Sequence, residues 1–251
     1  MTAPIRRFTS ENTHDLDDAA LLSAYAFPED RPWLRMNFVA SLDGASTLDG
    51  ASGGLGDAAD QRLLGLLRRP ADAVLVAAGT VRHEGYGAMI LEDEAVAWRR
   101  ERGLPDQPVF ALVTRSLDLD PGSPLFAEAP VRPLVFTTED APHDRRDALA
   151  AVADVVTAGR RDVEPARVVE AMHQRGLHKI HGEGGPSLFG DFVAADAVDE
   201  LCLTLSPTLT AGESGRIAHH ERAVATTMRL ASVLHSGDEL FLRYQRRDER
   251  G

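Results

Sequence analysis

Residues 71–82, Ala71-Asp72-Ala73-Val74-Leu75-Val76-Ala77-Ala78-Gly79-Thr80-Val81-Arg82, decide the fold. Positions 71–78 are almost unbroken apolar. A strand with one wet face alternates apolar and polar residues, whereas a strand covered on both faces does not. The run therefore predicts an inner strand of a parallel sheet with helices above and below it. The preceding segment agrees. Asp57 is placed to cap a helix running to Arg69, with Leu63, Leu64, Leu66 and Leu67 as its buried stripe and Pro70 as its stop. The following segment, Ala78–Arg82 with Glu84 and Tyr86 beyond, reads as a polar loop at the strand's carboxyl end.

Residues 1–30 read as a polar entry with a short helix around Leu16–Tyr25. Residues 33–41 suit a strand, with Leu34, Met36, Phe38 and Ala40 on one face and Asn37 on the other. The stretch Leu42–Gly56, rich in Gly, Ser and Asp, is too long for a hairpin turn and reads as a site loop. Helices are expected at 92–102, 144–151, 164–175 and 186–195, and strands at 109–114, 131–138, 154–157 and 179–181. The tail changes rhythm. Residues 198–206, 228–235 and 239–246 read as strands with no helix between them, and Ser236-Gly237-Asp238 makes a hairpin. The expectation is an α/β fold: a mixed, mainly parallel sheet with helices on both faces and a C-terminal β meander. One domain over 31–247 follows an extension over 1–30.

The 251 residues are 43% hydrophobic and 26% charged, enough for a sizeable core. Acidic residues outnumber basic ones 39 to 27, for a net charge of −12. Such a chain repels nucleic-acid backbones and anionic membranes, which argues against both as partners. It leaves room for a small anion held by a few focused arginines. Cys202 is the only cysteine, which excludes an intrachain disulfide and a thiolate zinc cluster. The histidines do not cluster, so no metal is expected. Met1–Ser10 lacks the apolar core of a signal peptide, and no run of ~18 apolar residues could span a membrane. A cytoplasmic protein is the expectation.

Four groups could carry chemistry. Gly182-Glu183-Gly184-Gly185-Pro186-Ser187 lies between a strand and a helix. Glycines admit a ligand close to the backbone, and a helix start offers free N–H groups to a phosphate or pyrophosphate, with the Ser187 hydroxyl beside them. The spacing is neither G-x-G-x-x-G, nor a P-loop, nor a nucleophile elbow. Glu183 places a carboxylate at a strand's carboxyl end, where α/β sheets bind ligands. Gly79 and Thr80 end the inner strand at the same sheet edge, followed by Glu84 and Tyr86. Ser41-Leu42-Asp43-Gly44 ends the first strand, with Thr47, Ser52 and Gly53 beyond. Thr114-Arg115-Ser116 sets an arginine between two hydroxyls at a strand end, as suits the 2′-phosphate of NADP.

Taken in order, Arg31-Pro32-Trp33…Ser41-Leu42-Asp43-Gly44, Asp72–Val76…Gly79-Thr80-Val81, Glu183-Gly184-Gly185-Pro186-Ser187-Leu188, Val198-Asp199-Glu200-Leu201 and Ser206-Pro207 resemble the reductase domain of riboflavin-biosynthesis deaminase/reductases. The likeness runs from about residue 30 to 247 and is greatest to standalone actinobacterial pyrimidine reductases. It implies a dihydrofolate reductase-like fold, NADPH as hydride donor and a homodimer. It also implies a small phosphorylated pyrimidine, a 5-phosphoribosylamino-pyrimidine reduced to its ribitylamino form. By motif position it makes Glu183 the general acid, with Glu84 standing in for an aspartate of the family. Gly182, Gly184, Gly185, Ser187 and Leu188 would hold the pyrophosphate, and Gly79, Thr80 and Val81 would line NADPH. Ser41 and Leu42 would approach the nicotinamide, and Thr114, Arg115 and Ser116 the 2′-phosphate. Asn37, Asp43, Thr47, Ser52, Arg68 and Tyr86 would meet the substrate. Two positions depart from the bifunctional relatives: Asn37 replaces a lysine, and Arg82-His83-Glu84-Gly85-Tyr86 replaces an Asp-Asp-Pro segment. A reductase of another heterocycle such as dihydrofolate, and a non-catalytic dinucleotide-binding sensor, remain open at this point.

Overall fold

The apolar run becomes β2 (Ala73–Ala77), an inner strand of a nine-stranded sheet. The computed structural model describes residues 15–247. The other strands are β1 (Trp33–Ala40), β3 (Val109–Val113), β4 (Leu134–Thr137), β5 (Asp154–Thr157), β6 (Lys179–Gly182), β7 (Glu200–Leu205), β8 (Met228–Ser236) and β9 (Glu239–Arg246). Their order is β5-β4-β3-β2-β6-β1-β7-β9-β8. Every pair from β5 to β7 is parallel, and the last two pairings are antiparallel, as expected of the meander.

Among the described residues, eight helices accompany the sheet: α1 (Asp18–Ala24), α2 (Ala58–Arg68), α3 (Ala78–Glu84), α4 (Asp93–Glu101), α5 (Pro124–Ala127), α6 (His143–Ala150), α7 (Pro165–His173) and α8 (Pro186–Ala194). Asp57 caps α2 as expected, accepting from the N–H groups of Ala59 and Asp60. On one face, Leu34, Met36, Leu75, Phe136 and Ile180 pack with Val168 and Met172 of α7 and with Leu188 and Phe192 of α8. On the other, Val74, Val76, Phe110 and Leu112 pack against Val81, Phe126 and Leu149 of α3, α5 and α6. Alternate residues of β2 thus enter two different cores, which is why its sequence does not alternate.

Two readings need correction. The segment after β2 is a helix, not a loop. Chain direction turns at Ala77, α3 begins at once, and Gly85 ends it in the left-handed region at φ 70°. Gly79 and Thr80, weak helix formers in its first turn, disguised it. The one-turn α5 has no periodic signature and went unread.

A charge is built into the core beneath β1. Arg35 and Glu200 have no exposed surface. Arg35 Nε donates to Glu200 Oε1 at 2.5 Å, and its Nη2 donates to the Tyr25 carbonyl at 2.5 Å. Trp33 Nε1, Arg243 Nη2 and Gln245 Nε2 donate to Glu200 Oε2 at 3.1, 2.8 and 3.1 Å. Burial pushes the carboxyl's pKa up, but Arg35 and Arg243 more than offset this and hold it at about 2. Tyr25, just past α1, packs with Leu63, Leu67, Cys202 and Phe241, and Arg243 also reaches the Ala24 carbonyl. The described part of the stretch over 1–30 is thereby docked on the sheet.

Glu200→Gln would leave Arg35 buried without its anion. Denaturant unfolding should show a loss of about 3–5 kcal/mol, and a loss below about 1 kcal/mol would refute the assignment. Because the folded pKa lies below the usual 4.5, this group's contribution is complete above pH 4.5 and is lost as pH falls through about 2.

Candidate active site

From β2 the chain proceeds outward through β3, β4 and β5, while β6, β1 and β7 lie on its other side. Connections diverge at this point and leave a crevice at the strands' carboxyl ends, the usual ligand position in an open α/β sheet. A cavity of about 410 Å³ occupies it.

The glycine segment is laced to the end of β2. Glu183 N–H donates to the Leu75 carbonyl at 2.9 Å, and Ala77 N–H donates to the Gly184 carbonyl at 2.6 Å. Gly184 has φ +98°, which other residues rarely adopt, and a Cβ at Gly185 would stand 2.4 Å from Thr80 Oγ1. Helix α8 starts at Pro186 with no side-chain cap. The N–H groups of Ser187 and Leu188 therefore have no acceptor within the helix. Both residues line the cavity beside Gly79, Thr80 and Gly185. This donor set fits a pyrophosphate.

Glu183 extends from the end of β6 onto the face that carries α2. It is 8% exposed. Arg68, the last residue of α2, grips it with two bonds: Nε to Oε1 at 2.6 Å and Nη2 to Oε2 at 2.7 Å. The Tyr86 hydroxyl donates to Oε2 at 2.9 Å. Burial pushes the Glu183 pKa up, yet the charge and hydrogen bonds of Arg68, with Tyr86 adding to them, hold it below the usual carboxylate range. Burial and the neighbouring Glu183 raise the Tyr86 pKa, so the phenol remains a donor. The sequence expectation is a general acid at this position, and the structure surrounds the carboxylate with donors. Glu183 is an ionised acceptor surrounded by donors.

His181 lies on the same face, fully buried, with Nε2 3.5 Å from Glu183 Oε1 and neither ring nitrogen hydrogen bonded. Burial lowers its pKa to about 4, so it is neutral.

The remaining expectations divide. Asn37, Thr47, Ser52, Glu84 and Tyr86 line the cavity as expected. Glu84 is a tether, since its Oε1 accepts from the Ser52 N–H at 2.9 Å. Thr47 Oγ1 lies 2.8 Å from Ser214 Oγ. Arg68 is committed to Glu183 and lines a second cavity of about 380 Å³ that shares Ser52, Gly53, Gln61, Leu64, Glu84 and Tyr86 with the first.

Several expected contacts lie elsewhere. Asp43 binds the Ser41 hydroxyl and accepts from the N–H groups of Thr210 and Ala211 at 3.2 and 2.7 Å. The Ser41 hydroxyl, the largest influence, and the two N–H groups lower its pKa. Ser41 Oγ also accepts from the Ala45 N–H, and the exposed Leu42 donates its N–H to the Thr208 carbonyl. Ser41, Leu42 and Asp43 thus fasten the loop over 42–56 to the segment over 206–227 and are not among the cavity's lining residues. Gly182, Gly184 and Val81 are not among the cavity's lining residues. Thr114 Oγ1 accepts from the Leu117 N–H to close a turn. Arg115 pairs with Asp162 at 2.9 Å, and Ser116 stands beside it, all outside the cavity lining.

Asp60, Gln61, Leu64, His83, Val39 and Ser46 line the cavity without having been expected there. A signal existed for two of them. Asp60, Leu64 and Arg68 are spaced by four and share one face of α2. His83 and Ser46 carried none. Among the described residues, no group of His, Cys, Asp and Glu is arranged to hold a metal ion, and no helix is long and apolar enough to cross a membrane.

Comparison with known proteins agrees with this architecture. A pyrimidine reductase-like protein from Corynebacterium diphtheriae superposes with a TM-score of 0.80 at 32% identity, covering 86% of this chain and 93% of that one. A deaminase/5-amino-6-(5-phosphoribosylamino)uracil reductase from Thermotoga maritima gives a TM-score of 0.65 at 20% identity, covering 87% of this chain and 57% of that one. At that identity the likeness shows the shared dihydrofolate reductase-like fold, and this chain spans little more than half of that protein. The 2,5-diamino-6-ribosylamino-4(3H)-pyrimidinone 5′-phosphate reductase of Methanothermobacter thermautotrophicus is 28% identical over 221 residues, 85% of this chain and 98% of its own length. The profile of the RibD C-terminal domain matches residues 32–242, and the chain belongs to the RibD C-terminal domain family.

Proposed function

We propose that this protein is an NADPH-dependent reductase of riboflavin biosynthesis that converts a 5-phosphoribosylamino-pyrimidine to its ribitylamino form. One observation carries the reading: a donor set shaped for a pyrophosphate and a buried, ionised carboxylate face the same cavity. The name of the archaeal relative supports the substrate class.

Ser187, Leu188, Gly79, Thr80 and Gly185 would hold the dinucleotide, with Gly182, Gly184 and Val81 behind them. NADPH supplies a hydride when bound. The reacting carbon is ribose C1′, reached as an open-chain imine. Protonation makes that imine electrophilic and positively charged. Glu183, charged and withdrawn from water, stabilises the positive charge where bulk solvent would screen it. Arg68 and Tyr86 fix both of its oxygens, so little reorganisation is needed. Opening the ribose breaks C1′–O4′ and forms C1′=N, the departing oxygen taking a proton from solvent while the N–H stays on the iminium nitrogen; hydride then adds to C1′ to give the amine, and Glu183 serves as the counter-anion. Asn37, Thr47 and Ser52 would contact the substrate, and Glu84 holds the Ser52 backbone in place.

NADPH is favoured over NADH by Arg115. It stands at the end of β3, next to β2, and lies close enough to Asp191 of α8 to lower that group's pKa against the larger effect of burial. Its partner Asp162 borders a depression that Arg160, Arg161 and Glu164 also line. The open edge strand β8, with Leu230 48% exposed, is the surface we assign to a homodimer.

Purified protein should consume NADPH with the phosphoribosylamino-pyrimidine. Glu183→Gln should cut kcat by about 10²-fold or more while leaving NADPH affinity within a few-fold. Binding without turnover across pyrimidines and pteridines would point instead to a sensor, and turnover with dihydrofolate alone to another heterocycle. Arg115→Ala should weaken NADPH binding far more than NADH binding in a fluorescence titration; equal losses would remove the arginine from the 2′-phosphate. Sedimentation velocity should give twice the mass of one chain, and a monomer would sink the β8 assignment.

A further inference from the structure

The cavity has two chemically unlike ends. One presents the backbone donors of α3 and α8. The other is bounded by apolar Val39 and Leu64 and by polar Asn37, Asp60 and Gln61. That is the lining expected for a flat heterocycle with a polar rim.

Asp60 is unusual on this wall. It is only 7% exposed, yet it lines the cavity. Thr204 Oγ1 donates to its Oδ1 at 2.7 Å and pins the carboxylate to β7. Its Oδ2 has no hydrogen bond among the described residues, and Gly56 leaves room for that atom, since a Cβ there would lie 2.1 Å from it. Burial raises the Asp60 pKa, the Thr204 hydroxyl lowers it, and the nearby Asp57 charge adds to the rise. An acid in the first turn of α2 does favour the helix dipole, but that role needs neither burial nor a cavity wall. Asp57 already takes the free N–H groups there.

Asn37 stands nearby. Val39 pairs with Thr204 and Asn37 with Cys202, so Asn37 and the Thr204 anchor share one face of adjacent strands. The Asn37 amide makes no hydrogen bond among the described residues. A carboxylate repels the substrate's phosphate, so the Asp60 end of the cavity takes the uncharged ring and the phosphate lies away from it.

We propose that Asp60 is the specificity-determining residue for the ring, accepting hydrogen bonds from the amino and N–H edge of a 2-amino-4(3H)-pyrimidinone and rejecting the corresponding uracil. The proposal rests on the reductase reading above. A carboxylate only accepts. It meets two donors at the amino-bearing edge, whereas uracil turns a carbonyl oxygen toward it. A site built to hydrogen-bond one partner rejects the analogue that leaves its buried group unpaired.

The test compares kcat/KM for 2,5-diamino-6-ribosylamino-4(3H)-pyrimidinone 5′-phosphate and for 5-amino-6-(5-phosphoribosylamino)uracil. The unaltered protein should prefer the first by at least about tenfold. Asp60→Asn keeps the size and the acceptor for Thr204 but turns a donor to the cavity. It should shift the ratio toward the uracil by about tenfold or more and leave the KM for NADPH unchanged. A merely structural Asp60 would lower both rates alike, and an unchanged ratio overturns the proposal. Equal rates in the unaltered protein also overturn it, and that measurement holds even if the variant fails to fold. Turnover of neither pyrimidine is a different result: it removes the reductase reading and this inference with it.

Discussion

The site depends on keeping one carboxylate charged out of water. Isolated, a buried Glu183 would take up a proton, because desolvation disfavours its ionised form. The paired bonds from Arg68 and the Tyr86 hydroxyl reverse that preference. The consequence is architectural as well as chemical. Arg68 ends α2 and Tyr86 follows α3, so a single charge at the tip of β6 sets where two helices close on the sheet. Those helices are the cavity walls.

A second buried charge lies close by. Glu200 on β7 and Glu183 past β6 flank β1, and both lie on the face that carries α2. Arg35, which pairs with Glu200, sits in register with His181. The imidazole is thus a neighbour of both networks, and burial keeps it neutral. A third charge here would compete for the same counterions. The two carboxylates use separate arginines, Arg68 for one and Arg35 with Arg243 for the other.

Much of this was legible in the chain. The unalternating run over 71–78 identified the inner strand because both its faces are apolar. The glycine segment was legible as a cavity wall because its backbone at Gly184 and the closeness of Gly185 to Thr80 both call for glycine. Charge state was not legible. The neighbours of Glu183 in sequence are glycines, and only the fold brings Arg68 to it across 115 residues. The surroundings of Ser41-Leu42-Asp43 were hidden for a related reason. Short polar side chains in a loop serve a ligand or another loop equally well, and here the partner is a distant segment with no periodicity. Asp60 went unnoticed because an acid in the first turn of a helix needs no further explanation until its burial is known.

The two halves of the cavity differ in how they are built. The part beside Gly79, Gly185 and Ser187 rests on strand ends and helix starts whose positions follow from sheet register, so a change in length there would displace a strand. The other part is bordered by the loop over 42–56, which is stitched to the irregular segment over 206–227 through Ser46, Thr47 and Asp43. These segments bond mainly to each other. Residues can be gained or lost in them without moving a strand, so a lineage of such proteins is free to change what it reduces while inheriting, unaltered, the means of reducing it.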